Sequence, residues 1–250
     1  MSSTTQPVIS LAMPCYNERE GIAEVIRRSI VSLERLGLPW ELVVIDNHSS
    51  DGTPEVVREV FAKEPRGRLI VHETNRYYSG SCQTALRECR GKYVAIMDSD
   101  GQFTADDLPR FLVALESGSN LVFGWRKVRH DPLSRKVMSL VFRVLARHYI
   151  GSTLHDLNVG LRMFDRRFVA CAEIQHRLNL ANPELYVCAR RAGLKVSEVY
   201  VTHSARLAGQ SCHDVKKLYT LFKMVHGYFR SLSQRLKEPA EQSQARRSAA

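Results

Sequence analysis

The chain has 250 residues, 44% of them hydrophobic, and a formal net charge of +10. That is enough apolar material for a full core, which excludes a disordered or fibrous chain and predicts one catalytic unit. No stretch of 18 apolar residues occurs and Met1 to Gln6 is polar, so the sequence predicts a protein that is neither secreted nor membrane-spanning.

In chain order, Val8 to Met13 reads as a β-rich run ending at Pro14, followed by helical spacing of Ile22, Val25, Ile26, Ser29, Ile30 and Leu33. Glu41 to Ile45 is a second strand, ending at Asp46. Asp51-Gly52-Thr53 then supplies a turn and cap, and Pro54 opens a helix to Ala62. Arg68 to His72 and Lys92 to Met97 are the next two strands. Asp106 to Leu115 reads as a helix, Asn120 to Trp125 as a strand, and Leu133 to Ile150 as a longer helix. On that helix Leu133, Val137, Leu140, Val141, Val144 and Leu145 are expected to face the core. Arg135, Ser139, Arg143 and Arg147 form a polar stripe opposite. Gly160 to Phe164 is a strand, Glu184 to Arg191 a helix and Lys195 to Val201 a last strand.

From His213 onward Val215, Leu218, Phe222, Val225, Phe229 and Leu232 alternate spacings of three and four, an amphipathic helix over 213–238. Residues 239–250 read as a disordered tail. The expected divisions are a catalytic domain over 1–212, with a nucleotide-binding half at 7–123 and an acceptor half at 124–212. Nearly continuous apolar strands alternating with helices predict an α/β fold, a mostly parallel sheet covered on both faces. Ligands of such sheets bind beyond the carboxyl ends of the strands. Pro14 to Glu18, Asp46 to Asp51 and Asp98 to Gln102 all lie at such ends and should share one crevice.

Charge divides unevenly along the chain. Residues 1–123 carry 13 Lys+Arg against 17 Asp+Glu, while residues 124–250 carry 23 against 9, which predicts an anionic partner for the second half. The acidic first half and the absence of an RNA- or DNA-binding motif argue against nucleic acid. The six cysteines are scattered with no Cys-x-x-Cys and no zinc-site spacing, the pattern of reduced core thiols in a cytoplasmic protein.

The strand Tyr93 to Met97 stops on Asp98-Ser99-Asp100-Gly101-Gln102. Two carboxylates at i, i+2 on a strand end suit Mg²⁺ or Mn²⁺ carrying a diphosphate, because hard cations take oxygen ligands and keep substrate phosphates in their shell. No Gly-x-Ser-x-Gly, His-Glu-x-x-His or Walker loop supports a hydrolase, zincin or P-loop reading.

Pro14-Cys15-Tyr16-Asn17-Glu18, Asp46-Asn47-His48-Ser49-Ser50-Asp51-Gly52-Thr53 and Asp98-Ser99-Asp100-Gly101-Gln102 together resemble, in order and spacing, the motifs of family 2 glycosyltransferases of GT-A fold. Gly124-Trp125-Arg126, Arg135 with Ser139, Asp156-Leu157-Asn158-Val159-Gly160-Leu161-Arg162 and Arg206-Leu207-Ala208-Gly209-Gln210-Ser211 are similar to the branch of dolichyl- and polyprenyl-phosphate mannosyl or glucosyl transferases. The resemblance covers residues 8 to about 215. It implies that Pro14, Tyr16, Glu18, Asp46, Asp98 and Ser99 hold a nucleoside-diphosphate sugar, UDP- or GDP-linked, with Asp46 accepting from the base. It also implies that Asp100 and Gln102, with Asp98 sharing the metal or contacting the ribose, hold Mg²⁺ or Mn²⁺. Arg126, Arg135, Ser139, Arg206 and Ser211 would bind phosphates of donor or acceptor, for which the guanidinium fork is suited. Asp51 and Thr53 read as turn and cap residues, and His155 as a structural hydrogen-bonding group.

The implied reaction is an inverting transfer in which Arg126, Arg206 and Asp156 serve the reacting groups. A lipid-linked phosphate acceptor is already anionic and needs no base; a hydroxyl of a small metabolite or nucleoside would make Asp156 the general base. Two departures bear on the acceptor: Cys212 and His213 stand where the branch often has a lysine, and Arg76 to Gln83 replaces a glycine- and alanine-rich loop. The preferred expectation is polyprenyl phosphate, which places the protein in the cytoplasm at the inner face of the membrane. The 213–232 helix has three expected uses: membrane-surface contact, a homodimer, or packing on the catalytic domain.

Overall fold

The computed structural model describes residues 6–127, 133–207 and 218–237, with side chains from 133–137 and 218–223 excepted. Seven strands form one sheet: β1 (Ile9–Cys15), β2 (Trp40–Asp46), β3 (Gly67–Val71), β4 (Tyr93–Met97), β5 (Leu121–Trp125), β6 (Leu161–Asp165) and β7 (Val196–Tyr200), in the order β3-β2-β1-β4-β6-β5-β7. All pair in parallel except β6, which runs antiparallel to β4 and β5. β1 and β2 are buried throughout, as continuous apolar strands covered on both faces must be. Because β6 is reversed, its entry at Gly160 lies at the exit of β4, where the Asp98 amide donates to the Gly160 carbonyl at 3.0 Å. One inverted strand thus adds the 155–160 loop to the crevice at the strand ends.

The helices are α1 (Ile22–Arg35), α2 (Thr53–Phe61), α3 (Tyr77–Glu88), α4 (Leu108–Glu116), α5 (Leu133–Ile150), α6 (Arg166–Cys171), α7 (Asn182–Arg191) and α8 (Leu218–Lys237). Sequence reading misses α3 and α6. In α3 the run Ser79-Gly80-Ser81-Cys82 is poor in helix formers and gives no amphipathic signal, yet its small residues are buried. Tertiary contacts hold it: Ser79 exchanges hydrogen bonds with Leu178 through its amide (3.0 Å) and hydroxyl (3.1 Å).

On α5 the expected core face needs correction. Ala146 and Ile150 are buried, whereas Leu140 and Val144 are 50% and 57% exposed, beside exposed Arg143 and Arg147. The period drifts, so residues four apart at the start of the helix lie on the flank of the face that its end buries. The side chains of Leu133 and Val137 lie outside the described residues.

Of the three uses expected for the C-terminal helix, packing on the catalytic domain is the one seen. α8 packs on α5 and α7, burying Val225, Tyr228, Phe229 and Leu232, with the rings of Phe142 and Phe229 5.0 Å apart. Arg235 is buried on it, donating to Glu184 (3.0 Å) and to Glu173 (3.0 Å). Among the described residues no helix is long and apolar enough to cross a membrane. The division at 212/213, Cys212 and the 239–250 tail lie outside the described residues; the other five cysteines are free thiols.

Candidate active site

The three acidic loops do converge. Pro14 is buried at the end of β1, opposite Ile45 of β2, and the chain turns outward through half-exposed Tyr16 and through Asn17 at φ 54°. Asn17 is held in this left-handed conformation by the second loop, to which both its backbone and its side chain are tied: its amide donates to Ser49 Oγ (2.9 Å) and its Oδ1 accepts from the Ser50 amide (2.9 Å). The Glu18 amide donates to Thr53 Oγ1 at 3.0 Å. Asp51 accepts from the Thr53 amide and hydroxyl and from the Arg19 amide, the turn and cap role expected of it. Partial burial works against its charge, but those hydrogen bonds outweigh burial and hold the carboxyl below the ordinary value. Asp46 is fully buried; its Oδ2 accepts from the Ser49 amide at 2.9 Å, so it closes the turn as well as facing the crevice end of β2.

The third loop is shaped by Gly101, at φ +76°, where an added Cβ would lie 2.5 Å from Leu207 Cδ1. Asp100 Oδ1 accepts from the Gln102 amide (3.0 Å), and Ser99 is buried beneath. The segment after β7 lies over this loop: the Gln102 carbonyl accepts from the Ser204 amide (2.9 Å) and the Asp100 carbonyl from the Leu207 amide (3.2 Å). That brings Arg206 between two carboxylates, Nη2 donating to Glu18 Oε1 at 2.9 Å and lying 3.4 Å from Asp100 Oδ2. Its Nε and Nη1 are buried with no hydrogen-bond partner among the described residues. Buried donors of this kind call for an anionic ligand.

Like charges crowd here. Glu18 is pushed up to about 7 by burial, with Arg206 opposing and Asp100, Asp51 and Asp98 adding to the rise. Asp98 is pushed up to about 6, again by burial first and then by Asp100. Asp98 Oδ1 accepts from the Tyr78 hydroxyl at 2.6 Å, and the Tyr78 hydroxyl in turn accepts from Arg162 Nη1 at 2.7 Å. Among the described residues no three His, Cys, Asp or Glu side chains are grouped to hold a metal. The donor set therefore fits a hard cation only if ligand oxygens complete its shell, as a diphosphate does.

On the other side of the crevice Arg126 forms a fork on Asp156, Nε to Oδ2 at 2.6 Å and Nη2 to Oδ1 at 3.0 Å, and donates to the Asn158 carbonyl at 3.2 Å. Glu198 of β7 secures this loop by accepting from the Asp156 amide (3.1 Å), the His155 amide (2.8 Å) and His155 Nδ1 (2.9 Å). His155 is thus the structural group expected, stacked on Trp125 at 4.1 Å, and Tyr200 stacks on Trp125 at 4.6 Å. Ser139 is half-buried on α5. The side chain of Arg135 and all of Ser211 lie outside the described residues.

Sequence reasoning missed four contributors. Asn47 Oδ1 accepts from the Arg76 amide (2.8 Å) and contacts His72 Nδ1 (3.1 Å), while Asn47 Nδ2 donates to Asn75 Oδ1 (2.9 Å), tying α3 to the second loop. Glu198, Arg162 and the hydroxyl role of Tyr78 were equally hidden. Each acts across 20 or more residues of chain; Asn47 and Arg162 lay within quoted motifs and Tyr78 within the Arg76 to Gln83 segment, but none had been given this contact.

A family model described as glycosyl transferase family 2 matches residues 10–171. The undecaprenyl-phosphate 4-deoxy-4-formamido-L-arabinose transferase of Pectobacterium carotovorum subsp. carotovorum (strain PC1) is 28% identical over 215 residues, 85% of this chain and 64% of that protein. The protein of that description from Salmonella newport (strain SL254) is 29% identical over 216 residues, with 85% and 64% covered. The chain thus spans 64% of the length of these relatives. Among solved structures, glucosyl-3-phosphoglycerate synthase from Mycobacterium tuberculosis in complex with phosphoglyceric acid superposes with a TM-score of 0.70 at 18% identity, covering 91% of this chain and 80% of that one. The mannosyltransferase PcManGT from Pyrobaculum calidifontis, in complex with GDP-Man and Mn²⁺, gives 0.59 at 17% identity, covering 93% and 74%. At these identities the two structures establish the GT-A fold.

Proposed function

The chain belongs to glycosyl transferase family 2, and on that premise we propose that it moves a sugar, with inversion, from a nucleoside-diphosphate donor to a polyprenyl phosphate. The observation that carries this reading is Arg206, set between Asp100 and Glu18 at the end of β4, whose buried Nε and Nη1 lack a hydrogen-bond partner among the described residues. A diphosphate would supply the acceptors that these donors lack.

In this reading the loops after β1 and β2 take the nucleotide, with Asp46 presented to the base. A Mg²⁺ or Mn²⁺ ion on Asp100 and Gln102, beside Asp98, would supply positive charge to the departing diphosphate. Arg206 adds its charge at the same place: its Nη2 lies 3.4 Å from Asp100 Oδ2, and its Nε and Nη1 have no hydrogen-bond partner among the described residues. Arg126, fixed by the Asp156 fork, is the preorganised cation on the acceptor side. A phosphate monoester, with a second pKa of about 6, attacks as an anion and needs no base. The hydroxyl alternative asks Asp156 to accept a proton, and both its oxygens already receive the Arg126 guanidinium. The undecaprenyl-phosphate relatives support the lipid acceptor. Arg135, Ser139 and Ser211 remain assigned to its phosphate by family likeness.

A lipid acceptor requires contact with a membrane surface. With Val225, Tyr228, Phe229 and Leu232 of α8 packed against the domain, the α5 stripe of Leu140, Arg143, Val144 and Arg147 is the surface suited to it, two aliphatics interleaved with two cations.

The test is release of nucleoside diphosphate from a panel of UDP- and GDP-sugars with Mn²⁺ and polyprenyl phosphate. Asp100→Ala should lower transfer by about 10²–10³-fold, the scale of losing one charge-stabilising group. Transfer to a soluble alcohol with none to polyprenyl phosphate would overturn the assignment of acceptor.

A further inference from the structure

Between α1, the loop after β4 and the segment after β7 lies a cavity of about 480 Å³, the size of a small-molecule site. Its α1 wall is one helical stripe, with Glu24, Arg27, Arg28, Val31 and Arg35 at i, i+3, i+4, i+7 and i+11. The facing wall includes buried Phe103 and half-exposed Leu207. Glu18, Asp98, Asp100 and Arg206, the charged groups of the crevice, do not line it. Gly101 and Leu207, the chain neighbours of Asp100 and Arg206, do line it, so cavity and crevice share a partition.

The charges around the cavity do not balance. Arg27, Arg28 and Arg35 stand against Glu24 and Asp106, three cations to two carboxylates among the described residues. Arg28 donates to Glu24 at 2.7 Å, and Arg35 lies 3.5 Å from Asp106, whose Oδ1 already accepts from the Ser32 hydroxyl at 2.7 Å. The Arg27 side chain has no hydrogen bond or ion pair among the described residues. Val31 is half-exposed between these cations, with roughly 10 Å of helix separating Arg28 from Arg35. The apolar patch of Val31, Leu207 and Phe103 asks for a carbon skeleton, and the guanidinium groups beside it ask for oxygens that can take paired N–H donors.

We propose that this cavity is a further ligand site, distinct from the donor and acceptor sites, and that it takes an organic phosphate: the phosphate on Arg27 and Arg28, the apolar body across Val31, Phe103 and Leu207. A phosphate monoester suits the pair because its charge of about −1.5 to −2 at pH 7 answers both guanidinium groups, Arg28 having only an exposed Glu24 to give up. The site uses none of the residues assigned to the transfer reaction.

The probe is 1-naphthyl phosphate, a soluble monoester with a rigid apolar body, titrated into the full chain and followed by its own fluorescence. One saturable site is expected, from which inorganic phosphate and 1-naphthol, the head and the body alone, displace it at least about 10-fold less well. Arg27→Glu and Val31→Asp change exposed side chains, so Tm should stay while probe affinity falls by about 10-fold or more, the scale of a hydrogen bond to a charged group. Arg167→Glu, the same change of charge at an exposed position that does not line the cavity, should leave the affinity as it was. Saturating UDP or GDP with Mn²⁺ should leave the probe bound. Vesicles of phosphatidylcholine with phosphatidic acid separate two sources of the phosphate: competition with the probe makes the occupant a lipid headgroup, and no competition makes it a soluble compound. No saturable binding by the wild type, displacement by the nucleotide, an equal loss in Arg167→Glu, or affinity unchanged in both Arg27→Glu and Val31→Asp overturns the proposal.

Discussion

At the ends of β1, β2 and β4 the protein gathers carboxylates, Glu18, Asp46, Asp98 and Asp100, with Arg206 reaching between two of them; around α7 and α8 it buries opposite charges in matched sets. Glu184 is fully buried there and accepts from Arg235 Nη1, from the Gln175 amide (2.7 Å) and from the His176 amide (3.3 Å). Crowded like charges and unpartnered donors destabilise a resting protein and make sense only if a ligand relieves them. Buried opposite charges in direct contact serve assembly instead, although Arg235 Nε has no hydrogen-bond partner among the described residues. The contrast separates the part of the molecule that works from the part that holds it in shape.

The largest expected effect tests the second region. Arg235→Ala leaves Glu184 buried without its guanidinium, and unfolding by denaturant should show a loss of about 3–5 kcal/mol. A loss below about 1 kcal/mol would mean that α8 is held by its apolar face alone. Detachment of α8 should also appear as new proteolytic cleavage near its ends.

The first region should answer in the opposite sense. Glu18 ordinarily titrates at 4.5 and here near 7, so between those values the unfolded chain ionises while the folded protein resists. Its contribution to stability is thus fully present below pH 4.5 and is lost as pH rises toward 7. Glu18→Gln should remove that decline and raise the Tm of ligand-free protein at pH 8 by roughly 5 °C, while weakening nucleotide binding. Parallel pH profiles for the two proteins would show that the crowding carries no strain.

The same contrast explains what could be read in advance. All seven strands and the three acidic loops were legible because each is announced locally, by an apolar run that stops on Pro14, Asp46 or Asp98. α3 was not, since Gly80 leaves room for the Arg76 side chain and Ser79 is tied to Leu178, tertiary demands that override helix propensity. The Tyr78 and Arg162 pair was equally silent: a buried arginine on a strand and a tyrosine 84 positions away share no local pattern. Asp156 was singled out from its motif, but only the fold shows that Arg126 donates to both its oxygens.

The smallest effect on stability concerns α5, where periodicity assigned Leu140 and Val144 to the core and the structure leaves each at least half exposed. Replacing both by serine removes no packed contact of consequence, so unfolding free energy should change by no more than about 0.5 kcal/mol. If they instead enter the headgroup region of a bilayer, each contributes up to about 1.5 kcal/mol to binding, and flotation with anionic vesicles should fall by about 10-fold or more in the double variant. Arg143→Gln with Arg147→Gln should weaken binding too, but mainly at low salt, because exposed charges are screened beyond about 10 Å at 0.1 M. Two arms that respond differently to salt would identify the stripe as a membrane face with separate apolar and electrostatic parts. Vesicle binding unchanged in both variants would move the lipid contact off α5, and the exposure of Leu140 and Val144 would then reflect only the drift of the helix.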